Sequence, residues 1–270
     1  MSDKLLTVNA DDFGYTHDVN SGIVEAHHKG ILTATTLMAN APAFDDAVRL
    51  SRANPTLDVG CHLVLVGGTS MLTGEPYPRD VPGLIKAIIM RQIKPYPELR
   101  DQIRKILHAG LKPLHMDTHK HTHLFPAVLQ IVAKLSEEFK IPFVRRPFDF
   151  PMRPGKTPIS KRLVAKSFQI VRGKFQQSLA QHGCRSTDYF AGFSLTGAFT
   201  AADLVSLIQE LPEGSTEFMC HPGHCGEELM AAKTKLKASR AEELAALCDP
   251  AVREALREAR VRLVRYADLV

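Results

Sequence analysis

Strand and helix patterns alternate along nearly the whole chain, which predicts an α/β protein: a parallel sheet covered by helices, open or closed into an irregular barrel. Three observations carry this expectation. Short apolar or β-branched runs recur at Leu5–Val8, Thr33–Met38 and Asp58–Leu65. Most are followed by stretches with apolar residues at helical spacing. No internal repeat or low-complexity linker interrupts the pattern, so residues 1–270 are expected to form one domain, with a basic helical insertion around residues 150–185.

Each element follows from its local pattern. Leu5–Val8 reads as a buried strand, and Asp11, Asp12, Phe13 and Gly14 come just after it. Val19–Lys29 is a helix, Thr33–Met38 a β-branched strand, and Phe44–Ala53 a second helix. Asp58–Leu65 is the third strand, and Gly67–Pro82, rich in Gly, Pro and Thr, is a loop. Helices are expected over Leu84–Gln92 and Pro97–Ala109. Leu114–Asp117 opens a histidine-rich segment, and Pro126–Phe139 is a helix with Val128, Ile131, Val132 and Leu135 at apolar positions. Phe143–Arg145 is a short strand and Ala201–Glu210 a helix. Glu217–Cys220 is a strand that delivers His221, and two helices from Ser239 to Arg260 precede a last strand over Val261–Tyr266.

Composition narrows the class. With 44% hydrophobic and 23% charged residues, the chain can build a substantial core, which excludes a disordered or fibrous protein. No apolar run reaches the roughly 18 residues of a membrane span, and the opening MSDKLLTV lacks the pattern of a secretion signal, so a cytoplasmic location is expected. Cys61, Cys184, Cys220, Cys225 and Cys248 are scattered and consistent with reduced thiols. The run Cys220-His221-Pro222-Gly223-His224-Cys225 is also a candidate structural zinc site.

The most informative segment is HMDTHKHTH, residues 115–123. In an extended backbone His115, Asp117, His119, His121 and His123 would all face one side. Imidazole and carboxylate are what a divalent metal takes from protein; a solvated histidine tract is the plainer alternative. Asp11-Asp12 at a strand end adds adjacent carboxylates, of which one can bind an ion while the other faces water as a base. An Asp-Asp turn capping the next helix would leave the same trace. His62 lies in the apolar run VGCHLVL, where a lone histidine is either a ligand or a satisfied core residue. Asp12, His62 and His119 each fall at or just after a strand of separate strand-helix units, which is how a parallel α/β fold assembles a site.

The strings VNADDFG (8–14), GCHLVL (60–65), HMDTHKHTHLFP (115–126), VRRP (144–147) and EFMCHPG (217–223) occur in an order that resembles the YdjC-like carbohydrate deacetylases. The resemblance implies an irregular (β/α) barrel related to polysaccharide deacetylases, one divalent metal ion (zinc or magnesium), and hydrolysis of an N-acetyl group from an amino sugar that is free or lipid-linked. Carried over to this chain, it implies Asp12, His62 and His119 as metal ligands, Asp11 as general base, His221 as general acid and Arg145 as a substrate contact, with His123 a further candidate for touching substrate. Lys120 and Thr122 depart from the residues usual in the family, but on the alternate face. A different metal hydrolase, such as a phosphoesterase, and a non-catalytic sugar-binding protein are the competing classes.

The expected partner is a small amino-sugar substrate. Arg145–Lys174 carries nine Lys or Arg against one Asp. Within it Ile159, Leu163, Val171, Phe175 and Leu179 form a helical apolar stripe beside Lys161, Arg162, Lys166 and Lys174. That helix either packs on the barrel or meets an anionic membrane surface, a peripheral contact that would suit a lipid-linked sugar. Leu84–Met90 with Ile93 could act as a lid over a greasy aglycone or as an ordinary core helix. Nucleic acid is not expected as a partner, because the basic region lacks interleaved aromatic residues. A homodimer is left open.

Overall fold

A computed structural model of the chain describes residues 3–151 and 172–270. Among the described residues, eight parallel strands form one sheet: β1 (Lys4–Phe13), β2 (Ala34–Leu37), β3 (Asp58–Leu63), β4 (His115–Thr118), β5 (Phe143–Val144), β6 (Tyr189–Ala191), β7 (Gly214–Cys220) and β8 (Val261–Leu263). Seven of them run in the order β5-β4-β3-β2-β1-β7-β6, while β8 pairs with the first residues of β1, Lys4 to Leu6, below the point where β2 begins to pair. Between the two end strands, β5 and β6, lie isolated parallel bridges at Phe143–Arg185 and Asp149–Phe190. The sheet is therefore curled into an irregular barrel whose seam is incompletely hydrogen-bonded, the α/β class expected from the alternation of elements.

Helices cover the outer face: α1 (His17–Lys29), α2 (Phe44–Ala53), α3 (Val81–Ile89), α4 (Pro95–His108), α5 (Pro126–Phe139), α6 (Ala201–Glu210), α7 (Glu227–Ala231), α8 (Ala238–Cys248) and α9 (Pro250–Glu258). Their starts carry ordinary capping chemistry. Thr16 accepts from Val19 N, Asp80 from Gly83 N, and Thr200 with Asp203 forms a reciprocal capping box. Asp80 explains why α3 starts three residues earlier than the apolar pattern alone suggested. One continuous apolar cluster joins helices to sheet, including Ile23, Val48, Ile103, Val132, Leu204 and Leu247.

The inner face is different. Side chains on one face of a strand recur every second residue, and here that face is polar: Thr7, Asn9 and Asp11 on β1, His62 on β3, His115 and Asp117 on β4, and Glu217 on β7 are all buried. Arg145, just beyond β5, ties them together. Its Nη1 and Nη2 donate to Asp11 Oδ2 and Oδ1, both at 2.7 Å, its Nε donates to Glu217 Oε1 at 2.7 Å, and Nη1 also pairs with Asp117. Below this cluster His115 stacks on Tyr266, ring centroids 3.9 Å apart, and its Nε2 meets Asn9 Oδ1 at 2.9 Å. Gly60 makes room for that ring, because a Cβ there would come within 2.6 Å of the His115 imidazole.

The five-residue histidine array does not form. The strand ends at Thr118, and Lys120 and His121 take left-handed φ values of 54° and 50° inside a 3-10 segment, His119–Leu124. This turn redirects the chain into α5 and breaks the alternation on which a common face depends. His119 stays at the barrel mouth. His121 turns toward Phe193, ring centroids 5.5 Å apart, and His123 is sealed inside, bonded to Thr118 Oγ1 and the Arg145 carbonyl. Of the basic insertion, residues 152–171 with Ile159, Lys161, Arg162, Leu163, Lys166 and Val171 lie outside the described residues; Phe175 and Leu179 are buried in the core.

The Arg145 cluster yields a stability prediction. Arg145→Met should lower stability at pH 7 by about 3–5 kcal/mol, the usual cost of stripping the partner from buried charges. Burial already raises the pKa of Asp117 and of Glu217, with Arg145 only partly offsetting it. Protonating them removes the repulsion, so the gap between variant and wild type should narrow as pH falls from about 7 to 5. Urea midpoints at the two pH values measure both effects.

Candidate active site

A bulge in β1 creates the site. The register with β2 shifts between Ala10 and Phe13, and Asp12 sits at φ 69°. Asp tolerates the left-handed region better than most residues, and a bulge re-aims side chains. The two adjacent carboxylates consequently serve different partners: Asp11 points to Arg145, and Asp12 to the histidines of β3 and the β4 end.

Asp12 Oδ1 lies 3.3 Å from His62 Nε2 and 3.1 Å from His119 Nδ1, and the two imidazole nitrogens are 3.2 Å apart. Donors bound to one ion at about 2.1 Å, and separated by about 90–109° there, stand about 3.0–3.4 Å apart. The three atoms match that facial spacing. Asp12 Oδ1 is buried and makes no hydrogen bond, an orphan oxygen that a cation would satisfy. Asp117 Oδ1 meets His62 Nδ1 at 2.6 Å, which places that nitrogen's proton on the carboxylate side and leaves Nε2 as a lone-pair donor. A second trio, Asp11, His62 and Asp117, is also close enough to hold an ion. Arg145 already occupies both of its carboxylates, so the residues fit an ion at Asp12, His62 and His119.

The electrostatics agree. Burial would raise the Asp12 pKa, but Arg240 and His119 outweigh it and hold the carboxyl well below its usual range. For His62 burial acts downward, yet Asp117 and Asp11 push its pKa up to about 10, the mark of a pocket that attracts a positive charge, whether proton or metal ion. Asp11 is kept below the usual carboxylate range because Arg145 overcomes the cost of its burial. Burial lowers His221 to about 4, and Asp11 and Asp12 only partly offset it.

Asp11, Asp12, His62 and His119 therefore come together at the carboxyl ends of β1, β3 and β4. His221, delivered by β7, places Nε2 4.0 Å from Asp11 Oδ2. Arg145 lies beneath Asp11 with 4% of its surface exposed, and His123 is fully buried with both ring nitrogens engaged. Cys220 Sγ reaches the Asn9 carbonyl and Cys225 Sγ lies against Met230 Sδ. The candidate ion-holding groups among the described residues contain only Asp and His.

Sequence reasoning missed Arg240 and Glu243. Arg240 Nη2 donates to Asp12 Oδ2, and Glu243 accepts from the backbone N–H groups of His221 (2.5 Å) and Gly197 (2.7 Å). A signal was present: both stand at i, i+3 spacing on the same buried stripe of α8 as Leu244 and Leu247, where charge is out of place. Glu217 was also within reach, four residues before His221 on the same face of its strand.

Residues 5–258 match the family model described as YdjC-like protein. Curated relatives include a carbohydrate deacetylase of Brevibacillus brevis, 33% identical over 270 residues covering 98% of this chain and 99% of that protein. Another is a carbohydrate deacetylase of Geobacillus stearothermophilus, 33% identical and covering 97% and 96%. Among solved structures, a protein of Enterococcus faecalis V583 described as a cellobiose-phosphate cleavage protein superposes with a TM-score of 0.75 over the full length of both chains at 24% identity, a likeness of fold. With the family pattern spanning most of its length and relatives at one-third identity aligned nearly end to end, the chain belongs to the YdjC-like family.

Proposed function

We propose that this protein is a metal-dependent hydrolase that removes the N-acetyl group from an N-acetylated amino sugar. The observation that carries the reading is the facial set of Asp12 Oδ1, His62 Nε2 and His119 Nδ1 with the ionised Asp11 beside it. The names of the full-length relatives support sugar deacetylation. Asp12, His62 and His119 would hold one divalent ion, zinc or magnesium. When bound, that ion supplies Lewis-acid polarisation of the amide carbonyl and lowers the pKa of water.

The chain's own groups do the rest. Asp11 accepts the proton of the attacking water; its two Arg145 bonds fix its orientation and keep it ionised. His221, neutral because burial lowers its pKa to about 4, receives the proton that Asp11 has taken, its Nε2 4.0 Å from Asp11 Oδ2, and passes it to the departing amine nitrogen. Asp117 holds His62 in one tautomer. His123 and Arg145, expected as substrate contacts, act from behind: Arg145 positions Asp11, and His123 braces the Arg145 backbone.

Asp11→Asn should keep the bound ion yet lose about 10²–10⁴-fold in turnover, whereas His119→Ala should lose the ion on dialysis. Metal analysis alongside acetate-release kinetics separates the two, and wild-type turnover in Asp11→Asn would remove the base.

Chelation should abolish acetate release from N-acetylglucosamine oligomers, and adding back a divalent ion should restore it. Release of phosphate from sugar phosphates without acetate from the oligomers would instead favour a phosphoesterase, and no turnover of either a sugar-binding protein.

A lipid-borne sugar is the finer version of this reading. Ile89 and Met90 are 71% and 55% exposed at the end of α3, beside exposed Lys86, Arg91 and Lys94. Sedimentation with anionic liposomes should then occur at low salt and fall at high salt. No sedimentation at either would favour a free oligosaccharide.

A further inference from the structure

We propose that Arg240 is a positioning residue that confines Asp12 to one-oxygen ligation and thereby sets which ions the site accepts. The inference rests on the metal-site reading above and extends it to a residue 228 positions along the chain from Asp12. Arg240 is 1% exposed, and its Nη2 occupies Asp12 Oδ2, the carboxylate oxygen turned away from the histidines. Only Oδ1 is left for His62 and His119 to share.

Arg240 is itself held. Its Nε donates to the Leu236 carbonyl at 3.3 Å, and its own carbonyl accepts from Gly223 N at 3.2 Å. One turn further along α8, Glu243 accepts from the His221 backbone. The loop these bonds secure is pressed against α1, where a Cβ on Gly22 would come within 2.5 Å of Gly223. With its guanidinium held at Nε and its backbone held at the carbonyl, buried Arg240 resists rotation of the Asp12 carboxylate and keeps Oδ2 outward. Arg240 acts through Asp12 and touches no reacting atom.

The chemical consequence is selectivity. Calcium takes six to eight oxygens at about 2.3–2.6 Å and readily uses both oxygens of a carboxylate. Smaller ions at about 2.0–2.2 Å are content with a compact three-donor face and open positions. Spending Oδ2 on Arg240 withholds an oxygen that calcium needs and costs the smaller ions nothing.

The test is a titration of the metal-stripped full-length chain with Co²⁺, followed by its visible absorption, with Ca²⁺ as competitor. Arg240→Gln should raise the affinity for Ca²⁺ relative to Co²⁺ by at least about ten-fold, the scale on which groups behind metal ligands act. The Co²⁺ spectrum should also change as a second Asp12 oxygen enters. Should Arg240→Gln not fold, Arg240→Lys keeps the buried charge without the fork and should show the same shift in smaller measure. An unchanged ion ratio and spectrum in the folded variant overturns the role of Arg240 alone. A wild-type chain that takes up no Co²⁺ overturns both this proposal and the metal site, whereas acetate release by a chain with an unaltered Arg240→Gln ion preference leaves the function standing without it.

Discussion

The guanidinium of Arg145 is the interaction on which the rest depends. Three buried carboxylates, Asp11, Asp117 and Glu217, meet it inside a barrel where water cannot screen them. Two of the three also serve the candidate site: Asp11 stands beside the Asp12, His62 and His119 trio, and Asp117 orients His62. A single cation thus sets the ionisation of the proposed base and, one step removed, the tautomer of an imidazole proposed to hold the ion. Changing it would disturb both at once, which is why its effects on stability and on activity are expected to be inseparable.

Local strain places the remaining groups. Asp12, Lys120 and His121 all adopt left-handed backbone, a conformation that non-glycine residues avoid at a cost of about 1–3 kcal/mol each. The first turns Asp12 away from Asp11. The second and third end β4 and swing the chain into α5, leaving His119 alone at the mouth. Such outliers persist where the surroundings over-determine them, and here the surroundings are the buried hydrogen bonds of Asn9, Thr36 and Thr118 on adjoining segments.

Much of this was legible in the sequence, and the failures have physical causes. Strand-helix alternation revealed the parallel α/β architecture, and Asp12, His62 and His119 were readable because each stands at a strand end, where such folds gather their sites. The inward histidine array was over-read: a period of two holds only while the backbone stays extended, and nothing in HKH announces two left-handed residues. The resemblance points to Arg145 as a substrate contact, but its burial against three carboxylates drawn from β1, β4 and β7 is a fact of tertiary pairing. Arg240 and Glu243 looked like ordinary polar residues of an ordinary helix. Only their place on an apolar stripe hinted that their partners lay inside.

A buried cluster of this kind is seldom the most stable filling for a barrel, since apolar residues of similar volume often do as well or better. Its retention makes sense if geometry is what it supplies. In the strand order, β5 stands at one end of the sheet and β7 next to last at the other, with isolated bridges across the seam among the described residues. Arg145 leaves the end of β5 and reaches Asp11 on β1 and Glu217 on β7, across the interior rather than around the wall. The guanidinium that aims the proposed base therefore also, through Glu217, draws the two sides of the sheet toward each other. Where backbone hydrogen bonding is incomplete, side-chain charge closes the barrel, and it does so at the level where the chemistry is proposed to occur.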